Sequence, residues 1–360
     1  MYLIVTRSFP PETGGMQNLM WGLTNNISKH HMVKVFAEQN EESKSTDEKV
    51  SYSIERIGGP KLIRKYRKAY LVNDFIKNNK NIKGIIADHW KSLELINTRR
   101  KKICLIHSKE INHQKGSLLN KRVLNVLNNV EIVISNSKYT KNLAISCGVD
   151  EKKIIVINPG IEPLKKISKE ILFEAEDLLQ NKSPRLITVS RLEKRKNHEK
   201  IIMSLKNLKQ LYPNIIYTCI GHGEEEENLK NLVKELNLEN HVLFLKNISK
   251  EFKNALLDKS DLFVMPSIVY KKSVEGFGIA FIEAAQYGLP SIGGKDGGEA
   301  DAIKNNETGI ICNGNNLEEI YSSIDLILKN NSYKNFINKT KEFSKKFEWD
   351  NIIKQYLEIL

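Results

Sequence analysis

Residues 186–190 read Leu-Ile-Thr-Val-Ser, a run of strong β preference that leads directly into a polar loop, Arg191-Leu192-Glu193-Lys194-Arg195-Lys196-Asn197. The chain opens on the same pattern. Residues 2–6 (YLIVT) are followed by a polar turn and then by a helical stretch over 16–28, with Leu19, Leu23 and Ile27 at helical spacing. Residues 186–190 therefore read as a second first strand, with the rhythm of the chain restarting after Pro163. Strand candidates at 33–37, 84–87, 103–106, 132–135 and 154–157 belong to the first start, and those at 215–220, 241–245, 262–265, 290–292 and 309–312 to the second. The segments between several of them are long enough for helices. This βαβ alternation implies a parallel sheet covered on both faces, so the chain is expected to be α/β, with two doubly wound units joined near residues 159–169. The final stretch, 336–360, reads as helical, with Phe343, Phe347, Ile352, Ile353, Tyr356 and Leu357 as an apolar stripe.

Composition narrows the classes. A length of 360 residues suits two domains with cores large enough to need no disulfide or metal staple. No run approaches the length of a transmembrane helix, and residues 1–10 lack the apolar stretch of a signal peptide. Cys104, Cys147, Cys219 and Cys312 lie far apart, without a C-x-x-C pair, and read as reduced thiols of a cytoplasmic protein. The net charge of +13 is uneven: residues 1–165 hold 28 Lys+Arg against 15 Asp+Glu, and the remainder hold 28 of each.

Three motifs carry chemistry. Phe9-Pro10-Pro11-Glu12-Thr13-Gly14-Gly15 joins the first strand to a helix. Paired glycines allow close backbone approach and a helix N-terminus favours an anion, although an ordinary turn has the same composition. No Walker or G-x-G-x-x-G sequence is present, which disfavours P-loop and dinucleotide readings. Arg191 and Lys196 follow the first strand of the second unit, where open α/β sheets bind ligands. Two such cations clamp a diphosphate, but an isolated R-x-x-x-x-K also fits a solvated basic loop. The third motif is Val274-Glu275-Gly276-Phe277-Gly278-Ile279-Ala280-Phe281-Ile282-Glu283, with two glutamates eight residues apart and an apolar helix beginning around Ile279. A glutamate within IAFIEAA is awkward as a core residue without a polar partner, which favours a binding role.

Arg191…Lys196 followed by Glu275-x7-Glu283 resembles the signature of family-4 retaining glycosyltransferases of the GT-B fold. The segments FPPETGG (9–15), KIIVINPGIE (153–162), Gly221-His222-Gly223-Glu224, AAQYGLP (284–290) and Gly297-Gly298 continue the likeness in order over nearly the whole chain. The resemblance implies two Rossmann-like domains facing each other across a cleft. It gives an acceptor-binding domain at 1–163, a nucleotide-sugar-binding domain at 164–335, and a helical segment at 336–360 packing back on the first domain. It implies that Gly14, Gly15, Arg191 and Lys196 hold the diphosphate of a nucleotide sugar and that Glu283 binds the ribose. Glu275 would contact the donor sugar, and the amides near Gly278, Ile279 and Ala280 the distal phosphate. His107 resembles a histidine beside the donor sugar, so His107, Arg191, Lys196 and Glu275 form the implied catalytic set. Asp88-His89-Trp90, after another strand, reads as acceptor-side lining. No Asp-x-Asp occurs, so no metal and no cofactor is expected beyond the donor itself, and the cations would take over the role of Mg²⁺.

The sequence departs from the family pattern at Gln17, where an acidic residue is common. It departs again at 296–301 (DGGEAD), where Asp301 stands with Glu299 shifted in place of a single glutamate. Lys61, Arg64, Lys65 and Lys68 recur at helical spacing with Arg67 nearby, while Leu62, Tyr66 and Ala69 lie on another face suited to packing. Arg99-Arg100-Lys101-Lys102 adds a second basic cluster. The segment 273–290 is also similar to that of bacterial lipid mannosyltransferases. Basic residues in the acceptor domain point to a saccharide or lipid acceptor at an anionic inner membrane surface, with the protein cytoplasmic or peripheral on that membrane. Another GT-B enzyme, such as a sugar-nucleotide epimerase or a phosphorylase, is the enzymatic alternative. A basic nucleic-acid binder is the other, but no zinc finger, RNP-like aromatic motif or helix-turn-helix supports nucleic acid as a partner.

Overall fold

A computed structural model describes residues 1–360. The chain forms two compact units: Met1–Glu162 with Phe347–Leu360, and Pro163–Lys346. The first contains β1 (Tyr2–Val5), β2 (Val33–Glu38), β3 (Ser53–Ile57), β4 (Gly84–Ala87), β5 (Lys101–Ile106), β6 (Ile132–Ser135) and β7 (Ile154–Val156). They form one sheet in the order β3-β2-β1-β4-β5-β6-β7, parallel throughout. The second contains β8 (Arg185–Val189), β9 (Ile216–Ile220), β10 (Val242–Leu245), β11 (Leu262–Met265), β12 (Ser291–Gly294) and β13 (Gly309–Cys312), in the order β10-β9-β8-β11-β12-β13 and again parallel.

The strands read as unbroken apolar runs because both faces of each sheet are covered. In the first unit Leu3, Val5, Ile85 and Cys104 pack on one face, and Ile4, Ile86, Ile103 and Leu105 on the other. β3 (SIERI) has no counterpart among the expected strands. It is an edge strand, and its central Glu55 and Arg56 hide the pattern: Glu55 pairs with Lys34 across the strand at 3.0 Å, and Arg56 binds Asp47 at 2.7 Å. All four cysteines are buried and free.

Residues 336–360 are not one helix. Ile337–Lys345 stays with the second unit, and Trp349–Glu358 belongs to the first. Between them Glu348 is extended and bridges Ile161; the Ile161 N–H donates to the Phe347 carbonyl at 2.8 Å, and the Trp349 N–H to the Ile161 carbonyl at 3.1 Å. Trp349, Ile352, Ile353 and Tyr356 then fill the face of the first sheet that also carries Leu19, Leu23 and Ile27.

This division changes the charge reading. The first unit gains the acidic residues of its last helix and holds 28 Lys+Arg against 18 Asp+Glu, and the second holds 28 against 25. The asymmetry is therefore +10 against +3. The helix Lys61–Asn78 also differs from its sequence reading. Lys68 is buried, donates to the Thr6 carbonyl at 2.8 Å and pairs with Glu38 at 3.6 Å; Arg64 pairs with Glu38 at 2.8 Å, and Lys65 with Glu94. Of the face expected to pack, only Ala69 is buried, whereas Leu62 is 88 % and Tyr66 63 % exposed. No helix is long and apolar enough to cross a membrane.

Candidate nucleotide-sugar site

The order of the second sheet reverses between β8 and β11, and ligands of open α/β sheets bind beyond the strand ends at such a point. The loop after β8 enters it as the short turn Lys194–Lys196, closed by Asn197 at φ 63°. Asn197 is buried, and its side-chain amide donates to the carbonyls of Pro266 at 2.9 Å and Gly314 at 2.8 Å. The Ile268 N–H donates to the Arg195 carbonyl at 2.9 Å. These bonds pin the loop after β8 to the loops after β11 and β13.

On that base two cations meet one carboxylate. Arg195 Nη1 lies 2.6 Å from Glu275 Oε2, and Lys196 Nζ binds the same oxygen. Lys196 Nζ also sits 3.4 Å from Met265 Sδ. All three side chains are nearly buried, at 10, 11 and 13 % exposure. Burial alone would raise the Glu275 pKa, but Lys196 and then Arg195 outweigh it and pull the carboxyl down to about 2. Burial lowers the Lys196 pKa, and Glu275 opposes that shift. The Arg195 Nε–H has no partner.

The sequence-derived residues divide around this cluster. Lys196 and Glu275 come together as a buried ion pair. Arg191 does not join them: it is 69 % exposed and pairs with Glu193 at 2.7 Å. Such an exposed pair contributes only about 0–1 kcal/mol, so Arg191 is free to swing to a ligand. Glu283 pairs with Lys253 at 3.1 Å, on the second turn of the helix Ile279–Gln286. Gly278 caps that helix at φ 90° with no side-chain cap, leaving the amides of Ile279 and Ala280 at its positive end. The Gly221–Gly223 turn touches the cation loop, with the Leu192 N–H donating to the His222 carbonyl at 3.0 Å.

Sequence reasoning missed two residues. Arg195 was hidden in a run of four charged residues, and only the fold shows which of them turn inward. Glu299 enters the sequence reading only as part of a departure from the family pattern; it is fully buried while Asp301 stays part-exposed, so of those two acidic residues Glu299 is the one beside Glu275.

Gly14, Gly15 and His107 lie in the first unit. Gly14 and Gly15 open the helix Gly15–Ser28, which has no acidic first turn and no side-chain cap. Their loop is held by Arg56, whose Nη2 donates to the Pro10 carbonyl at 2.6 Å. Asp88 is buried at the reversal of the first sheet, between β1 and β4. It accepts from Thr6 Oγ1 at 2.9 Å, the Arg7 N–H at 2.8 Å and the Ser8 N–H at 3.1 Å, so it braces the loop after β1. Burial, with Arg7, Lys91 and His107 nearby, pushes His89 down to about 3 and keeps its ring neutral. His107 follows β5 directly, with its Nε2 buried and unpartnered. A pocket of about 670 Å³ opens beyond β2 and β3, lined by Glu12, Gln39, Asn40, Gly59 and Arg64 among others. No group of three or more His, Cys, Asp or Glu side chains is placed to hold a metal.

Comparison with known proteins agrees with the two-unit fold. Residues 13–165 match the Glycosyltransferase Family 4 family, and residues 170–343 match Glycosyl transferases group 1. The chain is 23 % identical over 350 residues to the GDP-mannose-dependent alpha-(1-6)-phosphatidylinositol monomannoside mannosyltransferase of Mycolicibacterium smegmatis, covering 91 % of this chain and 88 % of that protein. It is 23 % identical over 270 residues to the N-acetyl-alpha-D-glucosaminyl L-malate synthase of Bacillus anthracis, covering 65 % of this chain and 66 % of that one. The crystal structure of Anabaena HepE in complex with UDP-glucose superposes with a TM-score of 0.82 at 20 % identity, over 100 % of this chain and 99 % of that one. With both halves matched in order and the two parallel sheets in place, the chain belongs to the GT-B glycosyltransferases, a family 4 domain followed by a glycosyl transferases group 1 domain.

Proposed function

We propose that the protein moves a hexosyl group, with retention, from a nucleoside-diphosphate sugar to a saccharide or lipid acceptor of the cell envelope, without a metal ion or other cofactor. The observation that carries this reading is the buried pair Arg195 and Lys196 beside an uncapped helix N-terminus at the strand reversal. As the bond from the sugar to the diphosphate breaks, negative charge builds on the leaving oxygens. Fixed cations and amide N–H groups stabilise that charge without reorganising. The acceptor hydroxyl forms the new bond on the face the diphosphate leaves, and its proton passes to a leaving phosphate oxygen. Glu275, held as a carboxylate by two cations, accepts hydrogen bonds from sugar hydroxyls and is not the nucleophile. The family resemblance assigns His107 to the donor sugar, and the pocket beyond β2 and β3 is proposed to take the acceptor. GDP-mannose and UDP-glucose, named for the mycobacterial relative and the HepE complex, are the first donors to try. Nucleotide release is expected from at least one UDP-, GDP- or ADP-sugar, undiminished by EDTA. Release from none of them would overturn the donor reading, and release that needs added Mg²⁺ would overturn its metal-free part.

The acceptor side is proposed to meet an anionic membrane from the cytoplasm. What supports this is the helix Lys61–Asn78, where Leu62, Ile63, Tyr66 and Tyr70 are all more than half exposed beside Lys61 and Arg67. Apolar and aromatic side chains flanked by cations suit a headgroup interface better than the basic face does, since Arg64, Lys65 and Lys68 are held by Glu38 and Glu94. The protein is expected to sediment with phosphatidylglycerol vesicles at low salt, and less so after Leu62→Asp with Tyr66→Asp. Equal sedimentation of the two proteins, or none by the wild type, rules the surface out.

A further inference from the structure

The buried cluster contains a second carboxyl that the chemistry above does not use. Glu299 follows Gly297 and Gly298 and is 0 % exposed, and neither carboxylate oxygen has a hydrogen-bond partner. It lies against the same piece of backbone as Glu275. The Gly298 N–H donates to the Glu275 carbonyl at 2.8 Å. A Cβ on Gly297 would run into Glu299 Oε2 and come within 2.8 Å of the Glu275 carbonyl oxygen. Only glycine leaves room for the two glutamates to share this corner.

The groups that face Glu299 come from four elements. They are Glu275 from the loop before the helix Ile279–Gln286, Lys196 from the loop after β8, Ser267 after β11, and Cys312 at the end of β13. Both cations nearby are already committed, Arg195 and Lys196 to the same oxygen of Glu275. An ionised Glu299 would be a dry carboxylate with a second carboxylate beside it and only the Ser267 hydroxyl and its own backbone N–H near enough to help, too little to offset burial and Glu275, an arrangement that proteins avoid by protonation.

We propose that Glu299 is a positioning residue of the donor site that works as a neutral acid, leaving the Arg195–Lys196–Glu275 cluster one net positive charge with which to meet a diphosphate. If Glu299 were ionised, two cations would face two carboxylates and the net charge would be zero. Burial first, and Glu275 second, push its pKa up to about 8, so the neutral form holds at physiological pH. An incoming diphosphate adds negative charge and raises the affinity of Glu299 for its proton further. Diphosphate binding above about pH 8 is therefore coupled to proton uptake. This inference rests on the donor-site reading above.

The test is titration of the full-length protein and of Glu299→Gln with UDP and with GDP, from about pH 6.5 to 9.5, in buffers of different ionisation heat. The glutamine keeps the shape and neutrality of the protonated acid. Near pH 7 the two proteins are expected to bind alike. Above about pH 8 the wild type alone should lose additional affinity, approaching tenfold per pH unit, with up to one proton taken up per nucleotide. Titration of the nucleotide and of Lys196 is common to both proteins and cancels in the comparison. Parallel pH profiles for wild type and variant overturn the role of Glu299 and leave the donor site standing. Failure of the wild type to bind either nucleotide overturns the donor reading and this inference with it.

Thermal unfolding gives a second readout, independent of nucleotide. Because the folded-state pKa lies above the unfolded value near 4.5, the wild type should lose stability relative to Glu299→Gln between about pH 5 and 8. A constant difference across that range overturns the proposal even if the variant binds nucleotide poorly.

Discussion

Lys196→Ala is expected to cut sugar transfer by about 10²- to 10³-fold, the usual loss when one preorganised donor to a developing negative charge is removed. It should do so in a protein that still folds, because Glu275 keeps Arg195 at 2.6 Å. Glu275→Ala is expected to behave differently. It leaves Arg195 and Lys196 together in a site where both side chains are nearly buried. Removing one partner of a buried ion pair costs about 3–5 kcal/mol, so this variant should lose stability as well as activity. The pair also sets an acid limit. The Glu275 pKa is depressed from the usual 4.5 to about 2, so its ion-pair stabilisation is complete above about pH 4.5 and is lost as pH falls towards 2. In Lys196→Ala the carboxyl is less depressed, so less stability is lost on acidification and the loss is complete at higher pH. Activity assays and thermal melts of both variants from pH 3 to 7 decide the matter. Unchanged transfer in Lys196→Ala would remove the basis for the donor site.

Trp349→Ala is expected to lower the melting temperature of the first unit by roughly 10 °C, following a loss of about 3–5 kcal/mol for a large buried aromatic side chain. Trp349 is 3 % exposed. Its indole is so tightly seated that a Cβ on Gly22 would run into it, and one on Gly160 would come within 2.5 Å. Deleting residues 347–360 should be worse, because it also removes Ile352, Ile353 and Tyr356 from the same face of the sheet. Circular dichroism melts of wild type and variant test this. A first-unit transition that does not move would show that the terminal helix adds nothing to the core.

Much of this was legible from residues alone. The two starts at 2–6 and 186–190, and the apolar runs after them, follow from local patterning, because a strand buried on both faces must be apolar along its length. Lys196 and Glu275 could be picked out for the same kind of reason: each stands in a motif at a strand end or helix start, where the backbone dictates where side chains begin. Where burial depends on partners distant in sequence, the reading failed. β3 is charged at its centre because its Glu55 and Arg56 find Lys34 and Asp47, which no local pattern announces. The face Lys61, Arg64, Lys65 and Lys68 reads as free charge until Glu38 and Glu94 arrive to neutralise most of it.

The sequence by itself determined the two doubly wound units, the cation-bearing loop after β8 and the paired glutamates, since all of these are written in spacing and side-chain type. Tertiary structure alone decided which charges turn inward. It put Arg195 rather than Arg191 on Glu275, hid Glu299 beside them, and divided the terminal segment between the units at Phe347. The physical reason is common to all three. The energy of a charge or an aromatic ring depends on what surrounds it, and those surroundings are assembled from segments tens to hundreds of residues apart.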